Sequence, residues 1–261
     1  MTETAQSQKL SFPRLRRFNV IMGALHLIQG VLMIVLSNDT TYPVYSNFLT
    51  FNTEKLALEP KLNLIYELRF GPAVGAFLLI SAVAHFYLST IGYQRYEDNL
   101  KKKINPVRFY EYAFSSSLMI VLIAMLLGIW DLLTLLGLFG LNAAMNFFGI
   151  LMEFDNQGRE NVRWTSFIYG CIAGIIPWIA MGINLYGSAV VNDAQPPTFV
   201  YAIVVSLFLF FNSFAVNMYL QYKKVGPWNN YLFGERGYIV LSLVAKTALA
   251  WQIFAGTLAP V

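Results

Sequence analysis

Charged residues and cysteines are both scarce in this chain of 261 residues. Only 12% of the residues are charged, whereas ordinary soluble domains carry about 25%. The single cysteine, Cys171, cannot form an internal disulfide, so cysteine usage does not indicate a cellular compartment. The N-terminal stretch is polar and basic, and it lacks the apolar core and cleavage site of a secretory signal. The scarcity of charge excludes an ordinary soluble domain.

Apolar residues dominate the composition. They make up 57% of the chain, and the mean hydropathy is +0.53. A membrane-spanning helix needs about 20 mostly apolar residues. We therefore predict a multi-pass, all-α protein of the cell membrane, surrounded by membrane lipid, with one seven-helix domain over residues 1–261. The net charge of +4 does not indicate a nucleic-acid partner. The predicted spans are residues 18–36, 66–90, 107–129, 131–152, 164–187, 198–222 and 236–258.

Basic residues are distributed unevenly between the two sides of these spans. Fourteen lie on one side and three on the other, and Lys246 is the remaining one of 18. Because cytoplasmic flanks are enriched in Lys and Arg, the asymmetry predicts a cytoplasmic N-terminus and an extracellular C-terminus. The long first loop, 37–65, is then external, and its turn residues are compatible with a small β-hairpin.

The seventh predicted span contains one charged residue, Lys246, in "SLVAKTALAW" (242–251). A lysine at the centre of a membrane helix costs roughly 2.5–3.5 kcal/mol, which makes it a functional-site hypothesis. A desolvated lysine can present a neutral amine that attacks an aldehyde and forms a Schiff base. In a membrane the natural aldehyde is a lipophilic one, such as retinal. The alternative is a side chain that extends to the membrane interface, and it requires a position near a helix end.

A charged nitrogen at this position needs a buried anion, and Glu111 is the carboxylate inside a predicted span. At about 1.5 Å per residue, Lys246 lies some 15 Å from Arg236, whereas Glu111 lies only about 4.5 Å from Arg108. The pairing therefore requires the third helix to begin earlier or to sit deeper than its apolar run indicates. The alternative is that Glu111 is a helix-end charge paired with Arg108. Three other carboxylates are predicted at helix ends: Glu67, Asp131 and Glu153.

Several stretches resemble heliorhodopsin, the microbial-rhodopsin relative with inverted membrane orientation, and the similarity covers essentially the whole chain. They are "ALHLIQG" (24–30), "SAVAHF" (81–86), "EYAFSSSLMIVLIA" (111–124), "GCIAGIIPWI" (170–179), "SLFLFFNSFA" (206–215) and "YLFGERGYIVLSLVAKTALAWQIF" (231–254).

The resemblance implies a rhodopsin-like bundle with a retinal cofactor, all-trans in the dark. It implies that Lys246 is the retinal-linking lysine and Glu111 the counterion. The inside N-terminus predicted from the basic residues agrees with this family. A homodimer formed through spans 4 and 5 and the first external loop is expected, as is signalling to a downstream partner that the sequence does not identify.

Retinal is a long polyene, so its pocket needs aromatic and small apolar walls. Ser242 precedes Lys246 by one turn and can hydrogen-bond near the linked nitrogen. For each aromatic residue, plain helix packing is an equally good interpretation. The candidate pocket residues are Tyr112, Ser116, Met119, Asn142, Met145, Gly174, Trp178, Phe211 and Ser242.

The two histidines, His26 and His85, both lie in the cytoplasmic half of their spans. Since histidine titrates near neutrality, we predict a proton-accepting polar cavity beside Glu111. Hydrogen bonds that bridge helices are one alternative. A metal site is another, for which two histidines without a carboxylate or Cys are weak evidence. The candidate cavity residues are Asn19, His26, Gln29, Ser81, His85 and Tyr96.

Three functions are compatible with a buried lysine in a seven-helix protein. The leading hypothesis is a light sensor, and the alternative is a light-driven ion pump or channel. Ionisable residues are absent from the predicted extracellular half of spans 3 and 7, which counts against a transport pathway. A lysine-based membrane enzyme needs an entry route for substrate and a second acid or base, and the sequence shows neither.

The stretch from Gly170 to Gly174 has the small-xxx-small pattern that allows two helices to approach closely. It is compatible with dimer formation, with internal packing, or with making room for retinal.

Overall fold

The structure, a computed structural model, describes residues 11–191 and 195–260. Seven of its helices are long and apolar enough to cross a membrane. A short helix, α3, and a two-stranded hairpin lie outside these spans. In chain order the elements are α1 (Phe12–Leu36), β1 (Thr41–Asn52), β2 (Ala57–Arg69), α2 (Phe70–Ser89), α3 (Tyr93–Lys101), α4 (Pro106–Leu126), α5 (Leu132–Asp155), α6 (Thr165–Tyr186), α7 (Thr198–Tyr222) and α8 (Tyr231–Ile253).

The seven-helix, multi-pass prediction is confirmed, but the first and last spans begin six and five residues earlier than predicted, and the second begins four residues later, at Phe70. The first starts at Phe12, where Ser11 is the N-cap residue and a proline occupies the first turn. The last starts at Tyr231, where the Asn230 side chain accepts a hydrogen bond from the Leu232 amide. The start at Tyr231 follows ordinary N-capping chemistry, whereas Ser11 makes no side-chain cap bond and the start at Phe12 is marked by Pro13.

The helices pack in sequence around the bundle. Contacts join α1 to α2, α2 to α4, α4 to α5, α5 to α6 and α7 to α8, and α8 closes on α1 and α2. The neighbours α6 and α7 approach each other much less closely than these pairs do. Their separation leaves room between them, and the cavity described below lies there.

The largest apolar core fills the half of the bundle that adjoins the hairpin. In this half the buried face of α4 is entirely apolar, from Met119 to Leu127. The chain then turns into α5 through Gly128, whose φ of +87° is in the region that favours glycine. This core separates the site at Lys246 from the hairpin end of the molecule.

The hairpin consists of β1 and β2, paired antiparallel with an irregularity between Val44 and Tyr45. The Tyr45 amide donates to the Trp130 carbonyl at 2.9 Å, and the Phe70 amide donates to the Thr40 carbonyl at 3.0 Å. These bonds attach the base of the hairpin to the turn between α4 and α5 and to the start of α2.

Candidate functional site

The Lys246 ammonium is surrounded by oxygen atoms in the bundle interior. Its Nζ donates to Glu111 Oε1 at 2.7 Å, to Ser81 Oγ at 2.6 Å and to Ser242 Oγ at 3.1 Å. Ser81 in turn donates to the same Glu111 oxygen at 2.6 Å. The lysine side chain is only 3% exposed, so the structure contradicts the alternative in which it extends to the membrane interface.

Glu111 reaches the level of Lys246 because the start of α4 is deeply placed. The helix begins at Pro106, one residue before the predicted start, and its N-cap Asn105 and its first-turn Arg108 are both buried. Arg108 turns away from Glu111 and pairs with other carboxylates. The alternative pairing of Glu111 with Arg108 was therefore wrong, and the depth mismatch is resolved by burial of the helix end.

Glu235 is a buried carboxylate that the sequence interpretation missed. It lies in the second turn of α8 and is 1% exposed. It accepts hydrogen bonds from Arg108, from Asn105 Nδ2 at 2.6 Å and from the Tyr96 hydroxyl at 3.0 Å. Burial, and then the nearby Glu235 carboxylate, raise the pKa of Tyr96 well above its usual range, so the hydroxyl keeps its proton and remains the donor.

Glu153 forms the other half of this cluster. It lies in the last turn of α5, at a helix end as predicted, and it is 3% exposed. It accepts hydrogen bonds from Arg108, from the Asn105 amide at 2.6 Å and from the Tyr231 hydroxyl at 3.1 Å. The two carboxylates accept six hydrogen bonds, two of them from the Arg108 guanidinium, and these bonds compensate the desolvation of the carboxylates. The cluster joins α3, α4, α5 and α8.

An apolar cavity of about 560 Å³ lies beside Lys246, between α6 and α7. Eight of the nine predicted pocket residues line it, as does Lys246 itself. Its size is within the usual range for small-molecule pockets. Its walls are mostly aromatic and aliphatic, and an amine lies in one wall, so the residues present fit an elongated apolar aldehyde such as retinal. The eight are Tyr112, Ser116, Met119, Met145, Gly174, Trp178, Phe211 and Ser242.

Asn142 is the predicted pocket residue that does not line the cavity. Its Nδ2 donates to Ser116 Oγ at 2.8 Å and to Ser117 Oγ at 3.0 Å, so it lies behind the wall. Asn146, one turn later, does line the cavity and donates to Ser116 at 3.2 Å. The two asparagines are one turn apart on α5, and the apolar pattern of that helix could not distinguish which one faces the cavity.

Gly170 and Gly174 face α5 within the same chain. A Cβ at position 174 would overlap the Met145 sulfur, and one at position 170 would lie 3.3 Å from the Phe148 Cβ. This contact favours internal packing among the alternatives for the small-xxx-small pattern. The room left by Gly174 is occupied by Met145, which then forms part of the cavity wall.

The structure brings the two histidines together. Their rings stack with centroids 5.4 Å apart, and His85 Nδ1 lies 2.7 Å from Asn19 Oδ1. Asn19 Nδ2 donates to the Leu15 carbonyl, which orients its oxygen towards His85, so Nδ1 is the protonated nitrogen. Neither ring nitrogen of His26 has a hydrogen-bond partner among the described residues.

The other predicted cavity residues occupy three different positions. Ser81 bridges Lys246 and Glu111, and Tyr96 binds Glu235. Gln29 was wrongly placed in the cavity. Its side-chain nitrogen donates to the Leu25 carbonyl, and its side-chain oxygen accepts from the Trp251 indole of α8, at the exposed surface between α1 and α8. Within residues 11–191 and 195–260, no group of three or more His, Cys, Asp and Glu side chains is arranged to hold a metal ion.

Comparison with known proteins identifies the family. A search of curated proteins found no match. The model of the heliorhodopsin family matches residues 15–258, which include every residue of the site described above and all of the seven spans except the first three residues of α1. That family is one of retinal photoreceptors and is not a classical enzyme family. The chain therefore belongs to the heliorhodopsin family, whose members are retinal-binding, light-responsive proteins of the membrane.

Proposed function

We propose that this protein is a light sensor in which retinal, all-trans in the dark, is linked to Lys246 as a Schiff base. The observation that carries the proposal is the contact between the Lys246 amine and Glu111, in the wall of an apolar cavity. Bound retinal supplies a chromophore that absorbs visible light and changes shape. No enzymatic activity is proposed.

Lys246 provides the nitrogen of the linkage. With retinal present, its neutral amine would condense with the aldehyde group, and the aldehyde oxygen would leave as water. Glu111 lies 2.7 Å from this nitrogen and stabilises a positive charge on it. Ser81 and Ser242 accept hydrogen bonds from the lysine and hold it in this position.

A route for a proton leads from Glu111 towards the two histidines. Ser81 connects Lys246 to Glu111, and His85 lies one turn beyond Ser81 on α2. The His26 ring stacks on His85 and retains two free nitrogen atoms among the described residues. We propose that Glu111 and these histidines accept the proton that leaves the Lys246 nitrogen after illumination.

Signalling without ion transport is the activity that the charge distribution favours. No ionisable residue lies between Met119 and Leu126 in α4, or between Lys246 and Ile253 in α8. The same half of the bundle is filled by the large apolar core. A pump requires relay groups on both sides of the linked nitrogen, and polar groups here are concentrated on the side of Glu111 and Arg108.

The orientation and the homodimer are also proposals. The distribution of basic residues favours a cytoplasmic N-terminus, with α3 inside and the hairpin outside. Large apolar side chains are exposed on the hairpin and on α5 and α6, as at Leu62, Leu136 and Ile172. These surfaces support a dimer through α5, α6 and the hairpin, in contact with membrane lipid elsewhere.

Replacement of the linking residue tests this function. Wild type and Lys246→Ala are purified and mixed with all-trans-retinal, and the absorption spectrum is recorded. We expect a visible band from wild type only, while the variant retains its helical circular dichroism. Lys223→Ala, which removes a lysine outside the cavity, should form the pigment normally. Normal colour in Lys246→Ala would refute the proposal.

A further inference from the structure

The bundle end that carries α3 has a basic edge that the Lys246 site does not use. The edge is formed by the first turns of α1, by α3, and by the start of α8. The Arg16 guanidinium lies 4.4 Å from the centre of the Tyr93 ring, which joins α1 to α3. The Arg236 guanidinium lies 5.5 Å from the Phe18 ring, which joins α8 to α1. The three elements therefore present one continuous surface.

Several cations of this edge lack an acidic partner. Lys101 pairs with Glu97 at 2.8 Å and with Asp98 at 3.6 Å. These are the acidic side chains of α3, and both are committed to that lysine. Within the described ranges 11–191 and 195–260, four other exposed cations at the edge have neither a carboxylate within ion-pair distance nor a ring contact: Arg17, Arg95, Lys102 and Lys103.

The position of α3 places these cations at the boundary between membrane and water. Three residues connect α3 to α2 and four connect it to α4, and both of those helices are membrane spans. The helix is amphipathic, with Tyr96 and Leu100 buried against the bundle and the charged residues facing outward. Clusters of Lys and Arg immediately beside a membrane helix bind anionic lipid surfaces.

We propose that the phosphate headgroups of anionic lipids bind the edge formed by α1, α3 and the start of α8, and that they hold α3 against α8. Arg95 lies near the first residue of α3, and Lys102 and Lys103 follow its last residue, so bound headgroups fix both ends of the helix. Between them, on the buried face, the Tyr96 hydroxyl donates to Glu235 of α8 at 3.0 Å. Lipid binding is thereby connected to the helix that carries Lys246.

The experiment compares the full chain, without retinal, in two kinds of nanodisc. One contains phosphatidylcholine alone, and the other contains an equal mixture of phosphatidylcholine and phosphatidylglycerol. Hydrogen–deuterium exchange is measured for α3 and for the start of α8. We expect slower exchange at both segments in the anionic discs, and a loss of the difference at high salt. Equal exchange in the two discs would refute the proposal.

A charge-matched pair of variants tests the location. Arg95→Gln, Lys102→Gln and Lys103→Gln together remove three charges from the edge. Three charges contribute roughly fivefold each in affinity for an anionic surface, so the triple variant should lose the slowing at α3. The control replaces Arg159, Arg163 and Lys224 by Gln, which removes three charges at the ends of α5, α6 and α7 instead. An equal loss in the control would show diffuse attraction and no defined edge.

Tyr96→Phe tests the connection to α8 and removes only the hydroxyl group. In the anionic discs this variant should retain the slowing at α3, while the slowing at the start of α8 decreases. Undiminished slowing at the start of α8 would refute the role of the Tyr96–Glu235 bond. Inorganic phosphate added to phosphatidylcholine discs separates the two sources of the anion. If it reproduces the effect, the ligand is free phosphate and the lipid proposal fails.

Discussion

Replacing Glu111 with glutamine removes one negative charge from the Lys246 site and preserves the shape of the side chain. In the structure Glu111 Oε1 lies 2.7 Å from Lys246 Nζ, and both side chains are buried. A carboxylate this close favours the protonated, positively charged form of the linked nitrogen. The neutral amide does not, so the nitrogen should lose its proton at a lower pH in the Glu111→Gln variant than in wild type.

The separation of the charges sets the size of the effect. Two unit charges 2.7 Å apart interact by about 6 kcal/mol at an effective dielectric constant of about 20. The hydrogen bonds of the new amide and of Ser81 and Ser242 offset part of this loss. If these hydrogen bonds offset about half of the interaction, the protonated form of the linked nitrogen loses roughly 3 kcal/mol of stabilisation, and one pH unit corresponds to about 1.4 kcal/mol. We therefore expect the midpoint to fall by about two pH units.

The assay is a pH titration of the visible absorption band of the reconstituted pigment. The fraction that stays protonated in Glu111→Gln should absorb further to the red, because a weaker counterion lets the positive charge spread along the polyene. Glu153→Gln is the matched control, since that carboxylate is equally buried but binds Arg108. An unchanged midpoint in Glu111→Gln, or an equal fall in Glu153→Gln, would show that Glu111 is not the counterion.

Four further predictions follow from the same structure. Arg108→Ala leaves two buried carboxylates without their cation and should lower the free energy of unfolding by about 3–5 kcal/mol, which is measured as a lower Tm. Its control is Lys55→Ala, which breaks an exposed ion pair and should leave the Tm unchanged. Gly174→Ala pushes Met145 into the cavity and should shift the visible band, whereas Gly182→Ala on the same helix meets no atom within 4 Å and should not. Protease added outside intact cells should cleave a tag at the C-terminus and spare one at the N-terminus, and the reverse pattern would contradict the proposed orientation. Illuminated cells should show no sustained, protonophore-sensitive pH change, which a pump would produce.

The spans were predictable from sequence because an apolar run of sufficient length has few alternatives to a membrane helix. Their ends were less predictable, since hydropathy weakens where a helix enters the interface. The basic residues Arg14, Arg16 and Arg17 suggested that α1 begins after them, but they lie within it. Ser11 and Pro13 are the N-terminal signals that mark the true start, and Asn230 is the corresponding signal for α8.

The charged residues of the site were predictable from the sequence to different degrees, depending on the residues that surround each of them. Lys246 and Glu111 are conspicuous because each is a charge inside an apolar run. Glu235 is not conspicuous, because it adjoins Arg236 and resembles an ordinary pair of charged residues at a helix end. Only the fold shows that Arg236 faces outward while Glu235 faces Arg108, 127 positions earlier in the chain. A contact at that separation leaves no local pattern in the sequence.

Gln29 shows that helical spacing could have corrected one wrong prediction. The buried positions of α1 recur at intervals of three and four residues: Leu15, Asn19, Gly23, His26, Gly30 and Met33. At 100° per residue, Gln29 lies about 80° away from Asn19 around the helix axis, beyond the edge of this stripe. Hydropathy does not reveal the stripe, because the lipid-facing positions, such as Ile21, Leu25 and Ile28, are as apolar as a core. In a membrane helix the interior face is marked by small and polar residues at helical spacing, and a polar residue off that spacing faces the outer surface of the bundle.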